Sequence, residues 1–336
     1  MLDPKSDTFS VKNFQFQSGE TLPELRIHYR TLGEPKTDGY GRVNNAVLIM
    51  HGTSGSGEAF LAPHFAGELF GVGQLLDLDK YFIILPDGIG HGGSSRPSDG
   101  LRANFPNYGY LDMVTAQHQL VTEHLEIERL RLVMGTSMGG MHSWMWGYLH
   151  PEMVDALMPL VSLPVEIAGR NRMMRHMIFD AITQSPDYDG GNYTEQPFGL
   201  TAATHLVMLM VGSPYQLQKI APTQQKADAL FAQMVPGYRG RFDANDLLYQ
   251  FRASHDYNPQ PHLEKIIAPL TAINAADDLV NPPELGVLEQ EIGRVPQGKA
   301  VVLDNWPELQ GHRSHSYPVL WKEHLADLLK RSEPQN

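Results

Sequence analysis

Apolar residues recur along this chain in two alternating rhythms. "ELRIHYRTLG" (24–33) alternates apolar and polar positions, the period-two pattern of a half-buried strand. "NAVLIMHG" (45–52), "YFIILPDG" (81–88), "LRLVMG" (130–135), "ALMPLVS" (156–162), "LTAINA" (270–275) and "AVVLD" (300–304) are short apolar runs closed by small or polar residues. Such runs suit strands buried on both faces of a mostly parallel sheet. Between them lie helical patterns, "YLDMVTAQHQLVTEHL" (110–125) and, after the last strand, "YPVLWKEHLADLLKR" (317–331). Strand, helix and strand in succession predict right-handed crossovers and an α/β fold with a doubly wound sheet.

The rhythm breaks once. From about 164 to 266 no β-run appears, and "RNRMMRHMIFDAI", "LTAATHLVMLMVG" and "TQQKADALFAQM" read as helices. This stretch is expected to be a helical cap inserted over the carboxyl edge of the sheet. The chain then divides into a first core part (1–163), the cap (164–266) and a second core part (267–336). Internal repeats and low-complexity linkers are absent.

Composition narrows the function. With 336 residues and an apolar share of 42%, the chain can bury a large core. The formal net charge is −12 and Lys and Arg nowhere cluster, which argues against nucleic acid or an anionic membrane as partner. Without cysteine there are no disulfides, no thiolate metal sites and no cysteine nucleophile. The opening "MLDPKSDTFS" lacks the charged and apolar segments of a secretory signal. That leaves the cytoplasm as the default compartment, with export open if a signal has been removed.

"LVMGTSMGGMHSW" (132–144) places Ser137 between Gly135 and Gly139, where a strand pattern gives way to a helix pattern. A glycine-rich turn with a helix-capping serine is one reading. The other is a nucleophile elbow, a strained strand-turn-helix that lifts one hydroxyl above the sheet, and the context favours it. A serine hydroxyl needs a base, and the base an acid to orient it. In the elbow architecture they follow in the order Ser, Asp or Glu, His. "ADDLVNPPE" after "LTAINA" offers Asp278, with Asp277 as runner-up, and "LQGHRSH" after "AVVLD" offers His312, with His315 as competitor. The oxyanion needs two amides, assigned to Met138, which follows the nucleophile, and Thr53 in "MHGTSGSGEAF" (50–60). That loop lacks the lysine and spacing of a phosphate loop, and neither a metal motif nor a dinucleotide fingerprint is visible. No cofactor is expected.

"FPNYGYLDMVTAQHQLV" (105–121), "GTSMGGMHSWMWGYLHPEMVDALM" (135–158), "RNRMMRHMIFDAITQSPDYDGGNY" (170–193) and "RFDANDLLYQF" (241–251) resemble the homoserine O-acetyltransferase branch of the α/β-hydrolase superfamily. The resemblance spans nearly the whole chain. It implies the α/β-hydrolase fold, a triad of Ser137, Asp278 and His312, and cap residues Arg175 and Tyr193 reaching into the active-site tunnel. It also carries a departure. In those transferases an aspartate after the catalytic histidine holds the homoserine amino group, and here Arg313 stands there. A cation at that place repels an ammonium. The family's "HALTG" loop is here "HGTSG". Water, not homoserine, is therefore the expected acyl acceptor.

The expectation is a serine hydrolase acting on a carboxylic ester, a small-molecule acyl substrate, through an acyl-enzyme. An O-acyltransferase using acyl-CoA is the alternative, and a non-catalytic binding protein of the same fold the third reading. A homodimer is left open.

Overall fold

A computed structural model describes residues 2–333. Its eight strands are β1 (Lys5–Gln15), β2 (Thr21–Leu32), β3 (Ala46–Met50), β4 (Phe82–Pro86), β5 (Leu132–Thr136), β6 (Leu157–Leu160), β7 (Leu270–Ala275) and β8 (Gly298–Leu303). They form one sheet in the order β1-β2-β4-β3-β5-β6-β7-β8. β1 and β2 run antiparallel, and every pairing from β4 to β8 is parallel.

The strand β1 is absent from the pattern reading. Most of its residues are exposed and polar, and the short apolar alternation of Phe9 and Val11 is broken at Asn13 before Phe14, so the pattern is weak. Pairing decides it: its register with β2 runs from Lys5↔Thr31 to Gln15↔Thr21 at the edge of the sheet.

Helices α1 (Pro63–Leu69), α2 (Tyr110–Gln119) and α3 (Met138–Leu149) follow the first parallel strands, and α9 (Val287–Ile292) and α10 (Lys322–Arg331) the last. Successive side chains of a strand face opposite layers. Leu48 and Met50 accordingly join Met141, Trp144 and Trp146 of α3 in one apolar layer. Val47 and Ile49 join Phe65 of α1 and Leu325 of α10 in the other. The last helix starts at Lys322, not at residue 317, because Pro318 lies in a separate 3-10 turn. α2 ends at Gln119 and passes into a π-helical turn over Leu120–His124.

Between β6 and β7 the chain holds α4 (Gly169–Thr183), α5 (Gly199–Val211), α6 (Pro214–Ile220), α7 (Gln224–Arg239) and α8 (Ala244–Arg252). These helices bury a core of their own, in which Ile178 and Ile182 of α4 meet Leu200 of α5 and Leu247 of α8. Among the described residues no helix is long and apolar enough to cross a membrane.

Candidate active site

The turn after β5 shows why this sequence needs its glycines. Ser137 has φ 55 and ψ −109, a left-handed conformation that costs a non-glycine residue of order 1–3 kcal/mol. The turn is held by Ser137 N–H donating to Leu160 O (2.9 Å) and Gly139 N–H donating to His51 O (3.0 Å). A Cβ at Gly139 would sit 2.0 Å from Met50 O, and one at Gly135 2.3 Å from the Gly139 carbonyl. So β3, β5 and α3 cross with no room for side chains at minus two and plus two. The serine between them is half-buried at the carboxyl edge of the sheet.

Two further loops at that edge meet it. Ser137 Oγ lies 2.8 Å from His312 Nε2. His312 Nδ1 lies 2.9 Å from Asp278 Oδ2 and 3.1 Å from Oδ1. Val280 and Asn281 N–H donate to Asp278 Oδ1, fixing the carboxylate. Placing the proton on Nδ1 leaves Nε2 free to accept from the serine hydroxyl.

Asp277 faces elsewhere. Its Oδ2 accepts from Ser213 Oγ (2.7 Å) and Gly311 N–H (2.8 Å), tying the N-cap of α6 to the loop that carries His312. His315 lies with its ring centroid 5.7 Å from that of His312 and makes no bond to the serine. Burial, with the His312 and Arg313 charges adding, pushes it well below its ordinary pKa, so it is neutral.

A cavity of about 160 Å³ opens over Ser137, with His312, Thr53, Phe60, Met210 and Arg175 in its wall. Thr53 borders the cavity together with Ser137. Met138 is buried and outside the lining; as the first residue of α3 its N–H has no carbonyl one turn back. Arg175 of α4 is 2% exposed. Its Nε donates to Asn171 Oδ1, and Nη1 to Phe251 O and Ser254 Oγ. All three acceptors are neutral, and among the described residues no carboxylate pairs with this guanidinium. Burial lowers its pKa, yet an arginine stays charged.

Two expectations are corrected here. Tyr193 does not line the cavity. Its hydroxyl donates to Asp243 Oδ1 (2.7 Å) and accepts from Asn245 N–H (3.0 Å), so it is spent on the N-terminus of α8. Arg313 is exposed and also outside the lining, because the 3-10 turn Arg313–Ser316 turns the residue after His312 to solvent. What the pattern reading missed is the apolar wall from Phe60, Phe65, Val207, Met210, Phe251 and Val280. Nothing in a helical repeat tells which apolar face looks onto a site. Among the described residues no cluster of three or more His, Asp or Glu could hold a metal.

The family model for the α/β-hydrolase fold matches residues 45–308, and the chain belongs to that family. A homoserine O-acetyltransferase of Pasteurella multocida (strain Pm70) is 32% identical over 305 residues, covering 82% of each chain. A probable acyltransferase of Methanothermobacter thermautotrophicus is 30% identical over 299 residues, covering 88% of this chain and 90% of its own. Among solved structures, an acetylester hydrolase from Corynebacterium glutamicum superposes with TM-score 0.84 at 21% identity, covering 97% and 96% of the two chains. A homoserine O-acetyltransferase from Bacillus anthracis gives 0.83 at 22%, covering both chains in full. Within the family the chain falls in the homoserine O-acetyltransferase-like branch. It is an enzyme of acyl transfer or ester hydrolysis.

Proposed function

We propose that the protein is a serine esterase whose substrates carry an anionic group. The observation that carries this reading is the unbroken relay Ser137–His312–Asp278 on a cavity whose one charged lining side chain beside the histidines is Arg175. Ser137 Oγ attacks the acyl carbonyl as His312 Nε2 takes its proton, and Asp278 stabilises the imidazolium. The Thr53 and Met138 amides hold the tetrahedral oxyanion. The C–O bond to the alcohol breaks as His312 returns the proton, leaving an acyl-Ser137 ester. Water, deprotonated by His312, attacks that ester, and as the acyl–Oγ bond breaks His312 returns the proton to Ser137 Oγ, releasing the carboxylic acid and restoring the serine.

Arg175 is a buried cation with only neutral partners, and a carboxylate on the substrate would complete it. No carboxylate among the described residues lines the cavity, so an ammonium finds no partner there. This supports water over an amino-bearing acceptor, on different grounds from the Arg313 charge. Transfer to an alcohol is the second reading, favoured by the curated relatives, which are acetyltransferases.

The test is a panel of neutral and carboxylate-bearing esters and of acyl-CoA, each with and without homoserine. Free acid should form from the anionic esters whether or not homoserine is present. A fluorophosphonate probe should label the wild type and not Ser137→Ala. Efficient formation of O-acylhomoserine would replace hydrolysis by transfer. Probe labelling and full turnover in Ser137→Ala would place the nucleophile elsewhere.

A further inference from the structure

Beneath the loop that carries Thr53 lie two buried imidazoles that the mechanism above does not use. Gly88 N–H donates to His51 Nε2 (2.9 Å). A backbone amide can only donate, so Nε2 is bare and the His51 proton sits on Nδ1. That proton is given to Gly52 O, 2.8 Å away, which also accepts from Gly55 N–H (2.9 Å). In a trans peptide the N–H points opposite to the C=O. With Gly52 O drawn to His51, the Thr53 N–H is turned away from that ring.

The next carbonyl is held in the same way. His91, 1% exposed, places Nε2 2.7 Å from Thr53 O. Its Nδ1 lies 2.9 Å from Ile89 O. Burial and the neighbouring His51 push its pKa down to about 3, so it carries one proton, which the shorter contact assigns to Nε2. The two rings sit 4.9 Å apart, one under each of two consecutive carbonyls. If the Gly52–Thr53 peptide flipped, Gly52 O would take the direction in which the Thr53 N–H now points, and release of Thr53 O from His91 would free the loop to make that flip.

We propose that His91, working with His51, is a positioning residue for the oxyanion loop: His51 fixes the Gly52–Thr53 peptide that carries the Thr53 N–H, and His91 pins the Thr53–Ser54 peptide that follows it, so that the Thr53 amide cannot swing off its aim. The inference rests on the acyl-Ser137 reading. His91 does not line the cavity, so it acts through the loop and not on the substrate. Removing an oxyanion donor costs about 10²–10³-fold in turnover, and a mis-aimed one should approach that.

The experiment compares wild type, His91→Ala, His91→Leu and His91→Gln on one ester and on an alkyl boronic acid, which forms a tetrahedral adduct with an active-site serine. In the Ala and Leu variants kcat should fall by about 10²-fold with KM within threefold, and boronate affinity should fall with kcat. His91→Gln, whose side-chain amide can still donate to Thr53 O, should recover at least tenfold of the loss. The leucine variant, closer in volume, covers failure of the alanine variant to fold. Wild-type kcat in either apolar variant, lost kcat with unchanged boronate affinity, or a glutamine variant no better than alanine would each overturn the proposal. A wild type that neither turns over ester nor forms the boronate adduct would instead overturn the Ser137 reading.

Discussion

Asp277 and Asp278 are neighbours in the chain, yet the structure sends them to different partners. Asp278 meets the ring of His312, whereas Asp277 meets the backbone before it and the cap of α6. Asp278→Asn should lower kcat by about 10³–10⁴-fold with KM little changed, since the amide favours the wrong imidazole tautomer. Asp277→Asn should lower kcat less than tenfold and lower stability by about 1–3 kcal/mol, the cost of disturbing a buried hydrogen-bonded carboxylate. Steady-state kinetics with thermal melts separates the two, and the reverse order would make Asp277 the orienting acid. At Arg175 the measurement is selectivity. Arg175→Met should raise KM for a carboxylate-bearing ester by about 10–100-fold and leave a neutral ester nearly untouched, the scale of one charge-assisted hydrogen bond. Equal losses on both esters would reduce Arg175 to a fold-holding role. The exposed Arg313 is predicted to matter little: Arg313→Asp should leave the ratio of hydrolysis to transfer onto amine-bearing alcohols within about twofold, because solvent and salt screen a surface charge.

At the level of elements, the serine is presented by a crossing of β3, β5 and α3 that only glycine permits. Gly139→Ala would force a methyl to 2.0 Å from the Met50 carbonyl, so backbone must move. A loss of more than about 3 kcal/mol, or failure to fold, is expected from overpacking at a backbone contact. Gly67 provides the contrast on α1, where an added Cβ meets nothing within 4 Å. Gly67→Ala should stabilise by about 0.5–1 kcal/mol through helix propensity alone. Chemical denaturation of the two variants checks the argument. A tolerated Gly139→Ala would mean that the elbow can relax, and that its tight crossing does not hold the serine in place.

For the whole molecule the buried histidines set the response to acid. Burial holds His51 below its ordinary pKa and brings His91 and His142 down to about 3. For a base with a depressed folded pKa, the unfolded chain binds protons that the fold refuses once pH drops below about 6.5. Stability is then lost as pH falls, by up to about 1.4 kcal/mol per pH unit for each such group, with His315 and the partly buried His150 contributing in the same direction. Asp246 opposes this. Burial raises it to about 6, so its charge is a penalty above that pH which fades on acidification. One carboxylate offsets one histidine, and the remaining histidines outweigh it. Urea midpoints should therefore fall from pH 6 to pH 4.5, and His142→Gln should reduce the slope of stability against pH by one group's share, up to about 1.4 kcal/mol per pH unit. A flat profile would mean that these histidines protonate within the fold.

Sequence alone determined the parts whose signal is local. Strand runs buried on both faces, the elbow glycines and the Ser…Asp…His order are written in contiguous residues, because pleat, backbone clearance and chain order are local constraints. The edge strand β1 was not read from the pattern, since most of its positions are exposed, its apolar period breaks at Asn13, and its pairing with β2 is long-range. The sequence favoured Asp278 and kept Asp277 as runner-up; what separates these neighbours is a turn held at Val280 and Asn281, which aims one carboxylate at His312 and the other away. The resemblance implied roles for both Arg175 and Tyr193, yet only Arg175 reaches the cavity, because Asp243 and Asn245 engage the tyrosine first. Arg313 follows His312 in sequence, but it opens a 3-10 turn in which it is exposed while His312, the residue before that turn, is buried. The aim of the Thr53 amide was likewise hidden, for it depends on imidazoles from two loops, about 40 residues apart in the chain, meeting two consecutive carbonyls. Which side chain faces a site is a property of packing between distant segments, and only the tertiary structure decides it.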